Sequence, residues 1–429
     1  MNIYDIKRWN FIHYSAQRDN VWENPYTLYD CLVSFFRNWN KMLDCKTKET
    51  CCLGDILFYA PELNNQRAIA PIAENMSLDK YTFWKSTSDL PKRGIFLRSV
   101  LYLPLFIILY LKSDNEDRKL IGSFSWDFMK ACGTYKTLEK VFSRNPQLKM
   151  IVMASDQDIE CRIMIDLAEK YNYKTLYVQH ASVSEYFPAL NFTYSFLDGM
   201  ESYEKYLRCG KVSGNVFLSG GTRFDMFYKF KKVGKKYDVG IAYNDVDDLE
   251  VIMRLCMFIK DNYTSKIIVR PHVSFLINNP DYDFGIFTSH GFSVSNPLID
   301  ASYIFLSEIK VMVANESSIH LDAAIMGVPS IQYNMSKSEH LSDYYSYIKN
   351  GLTKACEDVS DIVRLLSLGY IIPDKTIRYY NASCNSVVEG SVGKMIAEFI
   401  HKDIYESHAS AINYISEYMI NKGDYMEYK

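Results

Sequence analysis

Short apolar runs alternate with polar turns and longer amphipathic stretches along most of this chain, the pattern of repeated strand–helix units. Residues 56–60 (ILFYA) predict a compact buried strand, 61–65 a polar turn and 66–76 the following helix. The alternation continues with a strand at 81–84, helices over 98–111 and 126–143, a strand at 150–154, a helix over 160–170 and a strand at 175–178. After a basic stretch with a glycine, 229–236 (KFKKVGKK), which is the best linker candidate, the pattern restarts. A strand at 237–243 (YDVGIAY), a helix over 247–261, a strand at 266–269, a helix over 301–307 and a strand at 311–314 follow. A polar turn (Asn315-Glu316-Ser317-Ser318) then leads into a helix ending at Gly327, and a strand starts at Pro329. Residues 1–50 and 357–429 read as mainly helical, and there are no internal repeats. Such alternation predicts an α/β fold with mostly parallel sheets, whose ligands lie beyond the carboxyl ends of the strands. Two series imply two Rossmann-like, doubly wound domains, 1–230 and 231–400, with 401–429 a helical segment that crosses back to the first.

A chain of 429 residues exceeds one ordinary core, which agrees with two domains. Its 48% hydrophobic and 23% charged residues are those of a folded protein, and a net charge of -3 gives no global attraction to nucleic acid. Aromatics make up 15%, with 34 Tyr, which suits either sugar stacking or a membrane interface. The first residues scatter charges and lack an apolar run with a small-residue cleavage site, so a cytoplasmic location is expected. Ten cysteines form no CxxC pair and no Cys/His metal spacing, which predicts reduced thiols, no disulfide and no metal. The most apolar run, 99–111, contains Pro104 and is shorter than the ~20 residues of a spanning helix. It predicts a buried helix, or a membrane-touching patch flanked by Lys92, Arg93, Arg98 and Lys112.

Four polar clusters follow apolar strands: 155–158 (SDQD), 179–182 (QHAS), 270–272 (RPH) and 315–318 (NESS). In doubly wound sheets these positions gather at one edge. Arg270 offers a planar donor fork and His272 an imidazole beside a stiff proline, both suited to an anion. Asn315, Glu316, Ser317 and Ser318 open a helix, where side-chain oxygens, free N–H groups and the macrodipole suit a phosphate. In the first half, Asp156, His180 and Glu185 are candidate general bases. A Gly220-Gly221 turn leads to Arg223 and Asp225, and its glycines permit close backbone approach to a ligand. Each group also has a purely structural role open to it: a helix cap, a salt bridge, a core histidine, a tight turn. No GxxxxGK[ST] and no GxGxxG after a strand occur, so neither ATP hydrolysis nor a nicotinamide cofactor is expected.

Together these segments resemble bacterial glycosyltransferases of the GT-B architecture that build capsule and O-antigen polysaccharides. The resemblance includes the CDP-glycerol glycerophosphotransferases and rests on Gln179-His180-Ala181, on Gly220 to Asp225, on Arg270-Pro271-His272, and on Ser317-Ser318 with Asp322-Ala323-Ala324 and Gly327-Val328-Pro329. Ala181 and Val273 stand where those families have glycine and proline. Bacterial sialyltransferases are similar in pairing a carboxylate base in the first half with His and Ser elements that hold CMP in the second. The resemblance implies two Rossmann-like domains facing a central cleft, an acceptor-binding first domain and a donor-binding second. It implies a metal-independent, inverting glycosyltransferase without a cofactor. The donor would be a nucleotide sugar, with a CMP-linked acidic sugar such as a nonulosonate or Kdo favoured, and the acceptor a hydroxyl of a surface glycan or lipid-linked glycan. Arg270, His272, Arg223, Asn315, Glu316, Ser317 and Ser318 would hold the nucleotide, and Asp156, His180 or Glu185 would take the proton. Alternatives are a glycerol- or ribitol-phosphate transferase using a CDP-alditol, a non-catalytic polysaccharide assembly subunit, and a nucleotide-sugar epimerase. Peripheral contact with the inner face of the cell membrane would accompany a lipid-linked acceptor.

Overall fold

The computed structural model describes residues 25–43, 52–77, 80–86, 89–184, 187–231, 234–336 and 342–419. The chain divides into two units: the first comprises Met1–Leu197, Glu201–Thr222 and Gly393–Lys429, the second Asp198–Met200 and Arg223–Val392.

The first unit is built on a sheet of six parallel strands: β1 (Ile56–Tyr59), β2 (Tyr81–Trp84), β3 (Met150–Met153), β4 (Lys174–Val178), β5 (Asn191–Leu197) and β6 (Ser213–Leu218). The unbroken apolar sequences of β1 and β3 are wholly buried, as strands covered on both faces require. Strand order is β2-β1-β3-β4-β5-β6. The chain therefore reverses direction across the sheet between β1 and β3, and a ligand site is expected beyond the carboxyl ends of those two strands. In register, Tyr59 of β1 pairs with Met153 of β3, and Met153 with Tyr177 of β4. Asp156 and His180 thus each lie three residues beyond a registered pair, at the same sheet edge.

The apolar run read as 99–111 belongs to a longer helix, Lys92–Lys112, of 21 residues. Pro104 lies inside it with its ring exposed. Its buried face packs on the Ser125–Ser143 helix, and a Cβ at Gly133 would fall on Ser99 Oγ and the Ile95 carbonyl oxygen. The returning Val392–His401 helix sets Phe399 against Tyr194, Phe196 and Phe217. Just beyond it, Asp403 accepts hydrogen bonds from Tyr194 Oη at 2.7 Å and Lys174 Nζ at 2.8 Å.

The second unit has its own six-stranded parallel sheet: β7 (Tyr237–Tyr243), β8 (Ile267–Pro271), β9 (Ser293–Val294), β10 (Ile309–Ala314), β11 (Ser330–Tyr333) and β12 (Lys354–Cys356). Its order, β12-β11-β10-β7-β8-β9, is the dinucleotide-domain order, with the reversal between β7 and β10. At Gly240 a side chain would collide with Ile309 and Phe305, so glycine lets that helix and strand approach β7 closely. The chain enters this unit at Arg223 rather than near residue 230. The reason is packing: Phe224 and Phe227 join a core with Ala242, Phe305 and Leu306, so the basic stretch begins inside the second unit. The return falls at Gly393, ahead of the expected 401. Strands β5, β9 and β12 and the Met200–Cys209 helix were not predicted from the sequence.

The eight described cysteines carry free thiols.

Candidate functional site

At the reversal point of the first unit, the loop Ser155 to Asp158 leads from β3 into the Ile159–Tyr171 helix. Asp156 is 1% exposed, and burial lifts its pKa to about 6 although Arg162 and a backbone hydrogen bond pull the other way. The Arg162 guanidinium lies 3.7 Å from Asp156 Oδ2, too far for a hydrogen bond. Asp158 occupies the N-cap position without capping, and burial with the nearby Glu160 raises its pKa to about 7. Its Oδ2 accepts only a weak bond from Cys161 Sγ at 3.4 Å. Glu160 is held by Lys130 at 3.0 Å, and Lys130 also reaches Asp127 at 3.1 Å. Burial pulls the Lys130 ammonium pKa down, but these two carboxylates outweigh it and hold it above its ordinary value.

The same edge concentrates buried polar atoms without a hydrogen-bond partner: Tyr59 Oη at the end of β1, Trp84 Nε1 at the end of β2, both amide atoms of Asn65, Asp156 Oδ2, Asp158 Oδ1, and Arg162 Nε and Nη2. Each such group costs about 1–3 kcal/mol, and native folds hold few of them. Six side chains of this kind gather at the one edge where a doubly wound sheet takes its ligand. Donors and acceptors are mixed, and two of these atoms, Asp156 Oδ2 and Arg162 Nη2, face each other as an ion pair at 3.7 Å.

His180 follows β4 and is partly exposed. Its turn is fixed by Gln179, whose Nε2 donates to the Ala181 carbonyl and to Ser202 Oγ, both at 2.9 Å. Glu185 lies outside the described residues.

In the second unit the reversal point is bridged directly. Asn315 Nδ2 donates to Asp247 Oδ1 at 2.7 Å, tying the loop after β10 to the loop after β7, and Asn315 Oδ1 accepts the Glu316 N–H at 2.8 Å. Asn315 is therefore committed to the fold, and Asp247 is a member of this edge that the sequence did not single out. Glu316 accepts from the Tyr344 N–H. Ser317 Oγ accepts from the Ile319 N–H at 3.4 Å, while Ser318 is exposed and makes no cap bond. The helix these serines open, Ile319–Ile325, has only seven residues, so the expected macrodipole contribution is small.

Arg270 is 6% exposed, with Nη1 donating to Ser295 Oγ at 2.6 Å and Nη2 to the Asp300 carbonyl at 2.8 Å. Burial lowers its pKa to about 10 against the pull of Asp300 and Asp322. Its fork ties the end of β8 to the loop that follows β9. Arg223 is likewise engaged, in a bidentate pair with Asp198, with its guanidinium 4.2 Å from the Phe224 ring centre.

His272 differs from these. It is exposed, and its Nδ1 accepts the Ser274 N–H at 3.2 Å, capping the next helix. Nδ1 also lies 2.8 Å from Ser274 Oγ, whose single hydroxyl proton is donated to Asp245, so the two contacts call for opposite tautomers of the ring. Burial and Arg270 lower its pKa while Asp245 raises it, the net being below the ordinary value. His320, also missed from sequence, is a core residue: its Nε2 lies 2.9 Å from the Asn315 carbonyl and Nδ1 2.8 Å from Ser330 Oγ, and burial lowers its pKa to about 4.

No family model and no curated protein matches the sequence. Solved structures do. The UDP-GlcNAc 2-epimerase of Methanocaldococcus jannaschii is similar over 80% of this chain and 99% of its own, with 12% identity and a TM-score of 0.50. That of Neisseria meningitidis, bound to UDP-GlcNAc, is similar over 81% and 99%, with 13% identity and a TM-score of 0.50. The fold is GT-B. The wall teichoic acid polymerase TagF is also similar, over 94% of this chain and 98% of its own at 12% identity, but a TM-score of 0.45 adds no weight. Within the GT-B plan the sequence-predicted residues separate into two sets. His272, Ser317, Ser318 and His180 have side chains at least partly exposed at strand ends, whereas Arg270, Arg223 and Asn315 are consumed by the fold.

Proposed function

We propose that this GT-B chain is a glycosyltransferase that moves a sugar from a nucleotide-sugar donor to a hydroxyl of a bacterial surface glycan. The observation that carries the reading is the set of buried, unpartnered polar groups around Asp156 and Asp158 at the reversal point of the first sheet. A carboxylate with a pKa near 6 is ionised at neutral pH yet basic enough to take a proton from a hydroxyl. The acceptor oxygen attacks the anomeric carbon as its proton passes to Asp156 or His180, the bond from that carbon to the donor phosphate breaks, and the nucleotide leaves. Displacement from the opposite face inverts the centre. The His272 imidazole and the Ser317 and Ser318 hydroxyls are the groups of the second unit that would bind the leaving phosphate, without a metal. Asp156 is 1% exposed, so a hydroxyl reaches it only if the Ser155–Asp158 loop opens, whereas His180 is partly exposed although its Nδ1 is buried.

A CMP-linked acidic sugar heads the expected donors, because the resemblance to sialyltransferases gives CMP to His and Ser elements of the second half, and His272, Ser317 and Ser318 are such elements here. Titration of CMP, CDP, UDP and GDP by calorimetry tests donor binding, and His272→Ala is expected to weaken the preferred nucleotide about tenfold. Unchanged affinity would remove His272 from the site. With an acceptor present, kcat/KM should rise with pH through about 6 if Asp156 is the base. Asp156→Asn should abolish that limb and reduce turnover by about 10²–10⁴ while donor affinity holds; a retained limb in Asp156→Asn that disappears in His180→Gln transfers the role to His180. New phosphodiester in the product would instead indicate transfer of a phosphoalditol from a CDP-alditol, and donor turnover without acceptor an epimerase. A protein that neither binds nor turns over any nucleotide sugar would be an assembly subunit.

A further inference from the structure

The Lys92–Lys112 helix buries one face and leaves the other bare. Ile95, Leu103, Phe106 and Leu109 are part of the first unit's core. Leu97, Leu101, Ile108 and Leu111 are 55%, 76%, 42% and 59% exposed. With Arg93 and Pro104, also exposed, they recur at steps of three and four residues, which is a single stripe along a helix. By length and composition alone the helix would suffice to cross a membrane. One face is already spent on the core, so it can present only the other. The adjoining Leu28–Leu43 helix, which meets it through Phe35 and Trp39 against Phe96 at ring distances of 6.1 and 4.9 Å, exposes Tyr29, Val33 and Phe36 as well.

We propose that this stripe seats on an anionic lipid surface, with the leucines and Ile108 in the boundary between headgroups and acyl chains. Charge selects the occupant. The helix has no acidic residue, and of its four basic ones Arg93 and Lys112 are exposed, Arg98 is half-buried and Lys92 is buried. A second copy of the chain docking symmetrically would bring those cations against their equivalents, whereas lipid phosphates supply the opposite charge at both ends of the stripe. The exposed Arg93 and Lys112 bracket it at the two ends. A helix that is apolar along one side, basic at its ends and packed behind lies along a bilayer instead of crossing it. The inference does not depend on the proposed transferase chemistry.

Flotation of the purified full chain with phosphatidylglycerol/phosphatidylethanolamine vesicles, against phosphatidylcholine vesicles, tests it. The wild type should float with the anionic vesicles only, and less so as salt is raised. Leu101→Ser/Ile108→Ser should lower partitioning about tenfold or more, and Arg93→Gln/Lys112→Gln should remove the preference for anionic lipid. Both variants should keep the wild-type circular dichroism and nucleotide affinity. A single Leu101→Trp should show blue-shifted emission with anionic vesicles even if the double variants fold poorly. Absence of flotation by the wild type, or no blue shift at position 101, would overturn the proposal. So would a concentration-dependent dimer in sedimentation velocity that Leu101→Ser dissolves, since that gives the face to a second copy.

Discussion

Asp156 is ionised at neutral pH against the preference of its surroundings. Burial outweighs Arg162 and sets its pKa at about 6, above the ordinary carboxylate value of ~3.9. The fold therefore favours the protonated form. Its contribution to stability is complete below about pH 4 and is lost as pH rises through about 6, which amounts to roughly 3 kcal/mol. Urea unfolding should find the wild type losing stability across that window and Asp156→Asn losing less, with Asp158 still titrating near 7; equal slopes would mean that Asp156 is not perturbed. Arg223 poses the opposite case, a partly exposed cation paired bidentately with the buried Asp198. Asp198→Asn should cost about 1–3 kcal/mol by removing the charge that the Arg223 fork is paired with, as measured by the same unfolding curves, and an unchanged curve would mean that the pair adds nothing to stability. The sequence located the strand-end residues but not their employment. A donor fork that suits a phosphate suits Ser295 and the Asp300 carbonyl equally well, and only the folded chain shows that Arg270 is taken by the latter.

Apolar length accounts for only part of what was legible, since β5 is seven residues long and mostly buried yet was not predicted. β2 and β7 match the stretches read from periodicity alone, whereas β9 has two residues and β12 is a mostly exposed three-residue edge strand, too short for an apolar run to signal either. The Lys92–Lys112 helix was read short because its first turns carry Lys92, Arg93, Gly94 and Arg98 among the apolar residues. Its crossing with the Ser125–Ser143 helix depends on the missing side chain at Gly133, where any Cβ meets Ser99 and the Ile95 carbonyl. Gly133→Val should destabilise the protein by about 1–3 kcal/mol, seen as a lower Tm, and an unchanged Tm would mean that the two helices are not packed this closely.

At the scale of the molecule, the restart of the strand–helix pattern disclosed two units. Their limits were hidden, because Thr222 and Arg223 are separated by which core each side packs into and not by any change of composition. A nucleotide bound to the native chain should raise Tm, by about 2.7 kcal/mol of added stability at a concentration of 100 times Kd, and a chelator should leave both that shift and turnover unaltered. Loss of the shift on adding chelator would put a metal in the site. Because Gly393–Lys429 belongs to the first unit while Arg223–Val392 forms the second, a ribosome releases the later unit entire before the earlier one can close. Tyr194, Phe196 and Phe217 await Phe399 throughout that interval. A premature stop just past residue 392 would accordingly leave a nascent product whose last-made lobe is sound and whose first-made lobe is a chaperone substrate.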